Sequence, residues 1–275
     1  MSTVAPLFDR LIDDAALFPP GDSPMSHAVP AHLGHRHAPY AEIVGRFLCP
    51  ASRLAELVGE LPDLPAVEVG LVVDTGLAGL PTALNAVAAE PRLRLGAVEI
   101  ALPVDDVVTA ARRALAALPV GVPGYIEVPR LAGAEAMLNV LNFLMGTGVG
   151  AKYRTGGPTA AAFPSGPELA TFLVECARRG LSFKCTAGLH RPVRHRDPET
   201  GFVHHGFVNV LLATLAAMEG DDVEGLLAAT DGPALAELCW SLSVEEQYAI
   251  RAAFRGFGSC DMVQPMAGLA GLGLL

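Results

Sequence analysis

Eight short β-rich runs, each followed by a longer Ala-, Leu- and Arg-rich stretch, divide the chain. This alternation constrains its fold more than any other feature. The runs fall at 14–18, 43–49, 66–73, 94–101, 122–128, 148–154, 182–187 and 255–260. Between them, 51–60, 79–89, 104–117, 131–145 and 166–179 have helical spacing. Ser165 with Glu168 and Ser243 with Glu246 are spaced as capping boxes. Several runs close on Pro19, Pro50, Asp74, Pro103 or Pro129, as strand-to-helix loops commonly do. Strands alternating with helices over 275 residues predict an α/β protein, a (β/α)8 TIM-type barrel forming one domain over 1–275. A doubly wound open sheet is the alternative, but no Gly-x-Gly-x-x-Gly follows an early strand to support its dinucleotide-binding form. The stretch between the seventh and eighth runs is long enough for an extended helical insertion, a loop plus helices near 206–219, 231–241 and 244–254.

A net charge of −10 leaves no basic stripe for nucleic acid, so none is expected as a partner. The longest apolar stretch, Phe207 to Met218, is too short to cross a bilayer and contains Asn209 and Thr214. The start, Met-Ser-Thr-Val-Ala-Pro, lacks a basic segment followed by an apolar one, so no secretory leader is expected. Five widely spaced cysteines (49, 176, 185, 239 and 260) without a Cys-x-x-Cys pair predict reduced, mostly buried thiols and a cytoplasmic location. Trp240 beside Cys239 is expected in the core. The Gly/Leu-rich tail fits a barrel cap and a subunit contact equally, which leaves a homo-oligomer open.

The chain has only two lysines against 17 arginines. Lys152 and Lys184 each end a short apolar run and lead into a Thr/Gly turn. A buried amine can lose its proton and attack a carbonyl, which a guanidinium does not do. Side chains alternate along a strand, so Lys152 and Arg154 share one side, as do Lys184 and Thr186. Two amines on neighbouring strands repel each other, which lowers one pKa and frees a nucleophile. Glu127 at the end of run five and Glu99 within run four stand ready to move protons, or to neutralise the cations of the barrel mouth.

These residues bring the chain to a known family. Lys152-Tyr-Arg-Thr155-Gly156, then Lys184-Cys-Thr-Ala-Gly188, then Phe257-Gly258-Ser259-Cys260 follow one another on three successive runs. The order resembles the deoxyribose-phosphate aldolase family, a class I aldolase barrel. The resemblance covers three short motifs of the second half. It implies that Lys152 forms a Schiff base, that Lys184 holds the Lys152 pKa down, and that Gly258 and Ser259 help bind an anionic group. Arg154 stands where that family has a small hydroxyl residue, and the insertion after run seven is roughly twice as long. A relative with a different substrate is the expectation.

The loop after Lys184 carries Arg191, Arg194 and Arg196 with His190 and His195, a positive patch suited to carboxylate or phosphate and to a closing lid. Its own Asp197 and Glu199 are the competing partners. His27, His32, His35 and His37 lie in a connecting segment and are expected on a helix surface or loop. The expected activity is that of a class I aldolase-like lyase, acting through a lysine Schiff base on a small anionic carbonyl substrate without a metal or other cofactor. Lys152, Lys184, Glu127 and His190 are its expected catalytic residues. Arg154, Thr155, Thr186, Arg191, Arg194, Gly258 and Ser259 are expected to bind substrate. One alternative is a metal-dependent hydrolase or lyase, with a divalent metal on His190, on one of the adjacent His204 and His205, and on a strand-end acid such as Glu127 or Asp74. The other is a non-catalytic barrel that binds an anionic ligand.

Overall fold

Eight parallel strands close on themselves in the computed structural model, which describes residues 4–63 and 65–275. The first three residues, on which the leader expectation partly rests, lie outside that description. The barrel strands are β1 (Ile12–Asp14), β2 (Val44–Pro50), β3 (Val67–Val73), β4 (Leu93–Ala101), β5 (Gly124–Glu127), β6 (Gly150–Arg154) and β7 (Phe183–Thr186). A two-stranded hairpin, β8 (His195–Arg196) with β9 (Val203–His204), precedes the closing barrel strand β10 (Phe254–Ser259). Around the barrel the order is β1-β10-β7-β6-β5-β4-β3-β2, the (β/α)8 architecture that the alternation predicts.

Seven of the eight predicted runs lie on their strands to within two residues at most boundaries. The first does not: β1 spans Ile12–Asp14, whereas the prediction began at 14. Charge misled there. Asp13 and Asp14 look like the edge of a strand, yet both are 2% exposed because each has a buried partner. Helices Phe207–Glu219, Gly232–Ser241 and Val244–Ala253 fill the insertion as expected, with an additional short one at Val223–Ala228. A further helix, Met25–His35, was not anticipated. It buries His32 against Phe47 and 3.1 Å from Asp14 Oδ2, so that histidine is not on the surface. Trp240 is 67% exposed, contrary to expectation, because its helix buries Leu235, Ala236 and Cys239 instead. All five cysteines are free thiols. No helix of the described residues is long and apolar enough to cross a membrane.

The outer faces of β6, β7 and β10 carry an aromatic ladder. Tyr153 stacks on Phe172 at 4.3 Å, Phe172 meets Phe183 edge-on at 5.5 Å, and Phe183 stacks on Phe254 at 5.1 Å. Such pairs add about 0.5–1.5 kcal/mol each beyond burial. By fixing Tyr153 and Phe183 outward, the ladder turns Lys152 and Lys184 inward, since strand side chains alternate.

The inside of the barrel is ionic where branched apolar layers would be usual. Asp13, Glu99, Glu127, Lys152 and Lys184 are all buried there. Glycine makes room for these long side chains. A Cβ on Gly45 would overlap the Asp13 carboxylate.

Both capping boxes are formed. Ser165 and Ser243 accept from the Glu168 and Glu246 amides, and each Glu side chain accepts from the serine amide in return. Ser165→Ala and Ser243→Ala are each expected to cost about 1 kcal/mol, read as a lower urea midpoint at unchanged slope.

Candidate active site

Three neighbouring strands bring Glu127, Lys152 and Lys184 level: Lys152 is the register partner of Glu127 in β5 and of Lys184 in β7. Glu99 enters from β4 and reaches both amines. Its Oε1 accepts from Lys184 Nζ at 2.5 Å, and its Oε2 lies 2.8 Å from Lys152 Nζ. Lys152 also lies 3.0 Å from Glu127 Oε2, whose other oxygen accepts from Arg154 Nε at 3.0 Å. Lys184 donates to Asp13 from β1 as well, and its ammonium sits 5.2 Å from the centre of the Tyr125 ring. The result is a chain of alternating charge across the barrel: Arg154, Glu127, Lys152, Glu99, Lys184, Asp13. Three cations meet three anions along it, and Arg46 approaches its far end, with Nη1 3.7 Å from Asp13 Oδ2.

The chain runs from wet to dry. Nearly half of the Arg154 side chain is exposed (47%), against 10% for Glu127, 6% for Lys152 and 1% for Glu99 and Lys184. Lys152 is thus the amine nearer the mouth, and Lys184 lies behind it.

The expectation that Lys184 lowers the Lys152 pKa is corrected by Glu99, which stands between the two amines. Burial pulls Lys152 down, but Glu99 and Glu127 outweigh it and hold the amine above its ordinary value. Burial likewise opposes the charge on Lys184, and Asp13 and Glu99 overcome it. For Glu99, burial acts upward while Lys152 and Lys184 bring the carboxyl down to about 2. Glu127 is also held low, since Lys152 and Arg154 exceed the effect of its burial. In the resting site both lysines are ammonium ions.

The other predicted residues are placed unevenly. Thr186 is half-buried beside Arg154, its register partner. Thr155 is fully buried and donates its hydroxyl to the Ala187 carbonyl, so it ties the β6 and β7 loops together instead of facing a ligand. Gly258 packs against Leu48 and Ala15, and Ser259 is fully buried with its hydroxyl donating to the Asp261 carbonyl. His190 lies 3.2 Å from Ser259 Oγ through Nδ1 and contacts neither lysine. Burial, then His204, keep His190 below the ordinary imidazole pKa.

Of the loop arginines, Arg196 donates to the Gly201 carbonyl, and Arg191 and Arg194 have no acidic partner among the described residues. Asp197 accepts from the amides of Glu199 and Thr200 and from the Thr200 hydroxyl, and neither acid pairs with Arg191, Arg194 or Arg196 among the described residues. Arg191 and Arg196 are exposed, and Arg194 is half-buried. The proposed metal set of His190, His204 and His205 does not converge. His205 hydrogen-bonds through Nε2 to the Pro164 carbonyl, while His204 packs on Phe163 and faces His195 across the hairpin at 5.1 Å between ring centres. Among the described residues, no three of His, Cys, Asp or Glu are grouped as metal ligands.

Asp13 was missed at the sequence level. The signal for it was alternation through Ile12-Asp13-Asp14, with Asp13 on the inner side.

Removing the central carboxylate should expose the cost of the two amines. Glu99→Gln is expected to lose about 3–5 kcal/mol of unfolding free energy at pH 7, since an uncompensated buried charge remains. Because its folded pKa is depressed, Glu99 stabilises the protein above the unfolded value of 4.5 and ceases to do so as pH falls towards about 2. Urea unfolding at pH 7, 4.5 and 2.5 checks both points: the wild type should weaken along this acid limb, and the variant should have a shallower one.

Comparison with protein-family models, with curated proteins and with solved structures finds no match, which leaves the site's own geometry to speak for its chemistry.

Proposed function

We propose that the chain is a lyase of the class I aldolase kind, in which Lys152 forms a Schiff base with a small anionic carbonyl compound. The observation that carries this is the position of Lys152. It is an almost buried amine at the open end of a charge chain, with two carboxylates within 3.0 Å to take its proton.

The first step is a proton transfer from Lys152 to Glu127 or Glu99, which turns an ion pair into two neutral groups. In the resting site this transfer is uphill, because the amine is held above its ordinary value and both carboxyls below theirs, so it is drawn forward by the carbonyl addition that consumes the neutral amine. A proton on Glu99 also removes the negative charge that separates the lysines. The Lys184 ammonium then acts directly on Lys152 and favours its neutral form.

The neutral amine adds to the carbonyl carbon, and loss of water gives an iminium. With a hydroxyl on the β-carbon, a carboxylate takes the hydroxyl proton, the α–β carbon bond breaks, and its electron pair enters the iminium to give an enamine. Protonation of the enamine and hydrolysis return Lys152. The iminium serves as the electron sink, so this sequence calls on no cofactor. Arg154, half in solvent beside Glu127, is the group for the substrate's anionic end, and Arg191 and Arg194 supply further positive charge from the loop.

A second possibility has its own observation. Every member of the charge chain is paired, which is also what a barrel that binds an anion at Arg154 without turning it over would need.

Borohydride trapping with a panel of small anionic aldehydes and ketones, read by intact mass and peptide mapping, separates the two. A reduced adduct on Lys152, absent from Lys152→Met, is the expected result. Saturable binding across the panel without any adduct would favour the non-catalytic barrel.

A further inference from the structure

The opposite, N-terminal mouth of the barrel holds a second charged group, joined to the first through Arg46, whose Nη1 lies 3.7 Å from Asp13 Oδ2. Arg10 precedes β1, Arg46 lies near the start of β2, Glu68 near the start of β3, and Arg94 near the start of β4. Glu68 and Arg94 are register partners. Both Arg10 Nη2, at 2.7 Å, and Arg94 Nη2, at 2.5 Å, donate to the same oxygen, Glu68 Oε2. Arg46 Nε stands 3.4 Å from the other oxygen. Arg36, just after the helix Met25–His35, is held over the group by a 2.8 Å bond from Nη1 to the Val44 carbonyl. Burial and then the nearby Arg10 lower its pKa, Glu68 opposes them, and Arg94 adds to the lowering.

Three guanidinium groups therefore contact one carboxylate, Arg46 sharing itself with Asp13, and Arg36 lies within electrostatic reach of Arg10, Arg94 and Glu68. Of the other acids of the neighbourhood, Asp13 is held by Lys184, accepts from the Arg46 amide and lies 3.7 Å from Arg46 Nη1, which leaves Arg10, Arg36 and Arg94 in surplus over Glu68, and Glu42 accepts from the Val4 amide. One arginine would neutralise Glu68, and each further one repels the rest. In a chain of net charge −10, such a surplus on one face is a poor way to close a barrel and a good way to hold an anion.

The shape agrees. Glu68 and Arg46 form a floor only 14% and 15% exposed, while Arg10 (36%) and Arg94 (68%) make a rim that solvent reaches. Arg10 takes up its place with φ at +48°, in the left-handed region that non-glycine residues adopt only at a cost. Guanidinium groups offer paired N–H donors that match the oxygens of a phosphoryl group.

We propose that this N-terminal mouth binds a small, multiply charged oxyanion, either inorganic phosphate or the phosphoryl group of a phosphoester, against Arg10, Arg36 and Arg94. A dianion offsets more of the surplus charge than a single carboxylate would.

Calorimetric titration of the full chain with inorganic phosphate, at ionic strength held constant with chloride, tests this. The expected result is saturable binding of one ion per chain, weakened at least tenfold in Arg36→Ala and in Arg94→Ala. Both side chains are at the solvent-exposed rim, and circular dichroism verifies that each variant is folded. Glycerol 3-phosphate then separates the two sources: tighter binding than phosphate points to a phosphoester, equal or weaker binding to the free ion. The proposal is overturned if wild-type protein shows no saturable binding. It is equally overturned if binding survives in both folded arginine variants.

Discussion

The pair of contacts made by Glu99 governs the interior of this barrel. Two ammonium groups on adjacent strands at the same register would repel strongly in a dry core. One carboxylate, 2.8 Å from one amine and 2.5 Å from the other, converts that repulsion into two attractions. Asp13 and Glu127 complete the compensation on either side. Each carboxylate is buried only because cations flank it, and each lysine is buried only because carboxylates do.

This mutual dependence has a structural cost and a chemical use. Ion pairs contribute less to stability than well-packed apolar side chains of similar volume. The barrel makes up for its ionic centre with the apolar layer between strands and helices, most visibly the ladder from Tyr153 through Phe172 and Phe183 to Phe254. In return the interior offers a series of groups among which a proton can be redistributed without any charge entering or leaving. Only Arg154 and the edge of Glu127 meet solvent, so an anionic molecule approaching the mouth meets positive charge first.

Much of this was legible in the amino-acid order. Apolar runs closed by Pro, Gly or Asp marked the strands, and period-two alternation placed Lys152 with Arg154 on the inner side. What escaped was whatever depended on contacts across the barrel. Glu99 is the register partner of Tyr125, not of either lysine, so no local pattern revealed that its side chain bridges both. Asp13 was hidden because a charged residue at a strand edge normally signals solvent, and only Lys184, 171 residues away, makes its burial tolerable. His195 and His204 come together through a hairpin whose turn is built by Asp197 bonding its own loop, a feature without apolar periodicity. The arginines at the N-terminal mouth come from four separate segments, and only barrel closure gathers them.

A chain with only two lysines permits a direct measurement of its central feature. Nitrogen-15 labelling of lysine gives two side-chain signals by NMR, assigned by comparison with Lys152→Met, and both can be followed with pH. Both amines should be ammonium ions at pH 7 in the wild type, and the Lys152 signal should titrate at lower pH in Glu99→Gln. A neutral Lys152 at pH 7 in the resting wild-type protein, or a titration unmoved by loss of the Glu99 charge, would contradict the bridging role of Glu99.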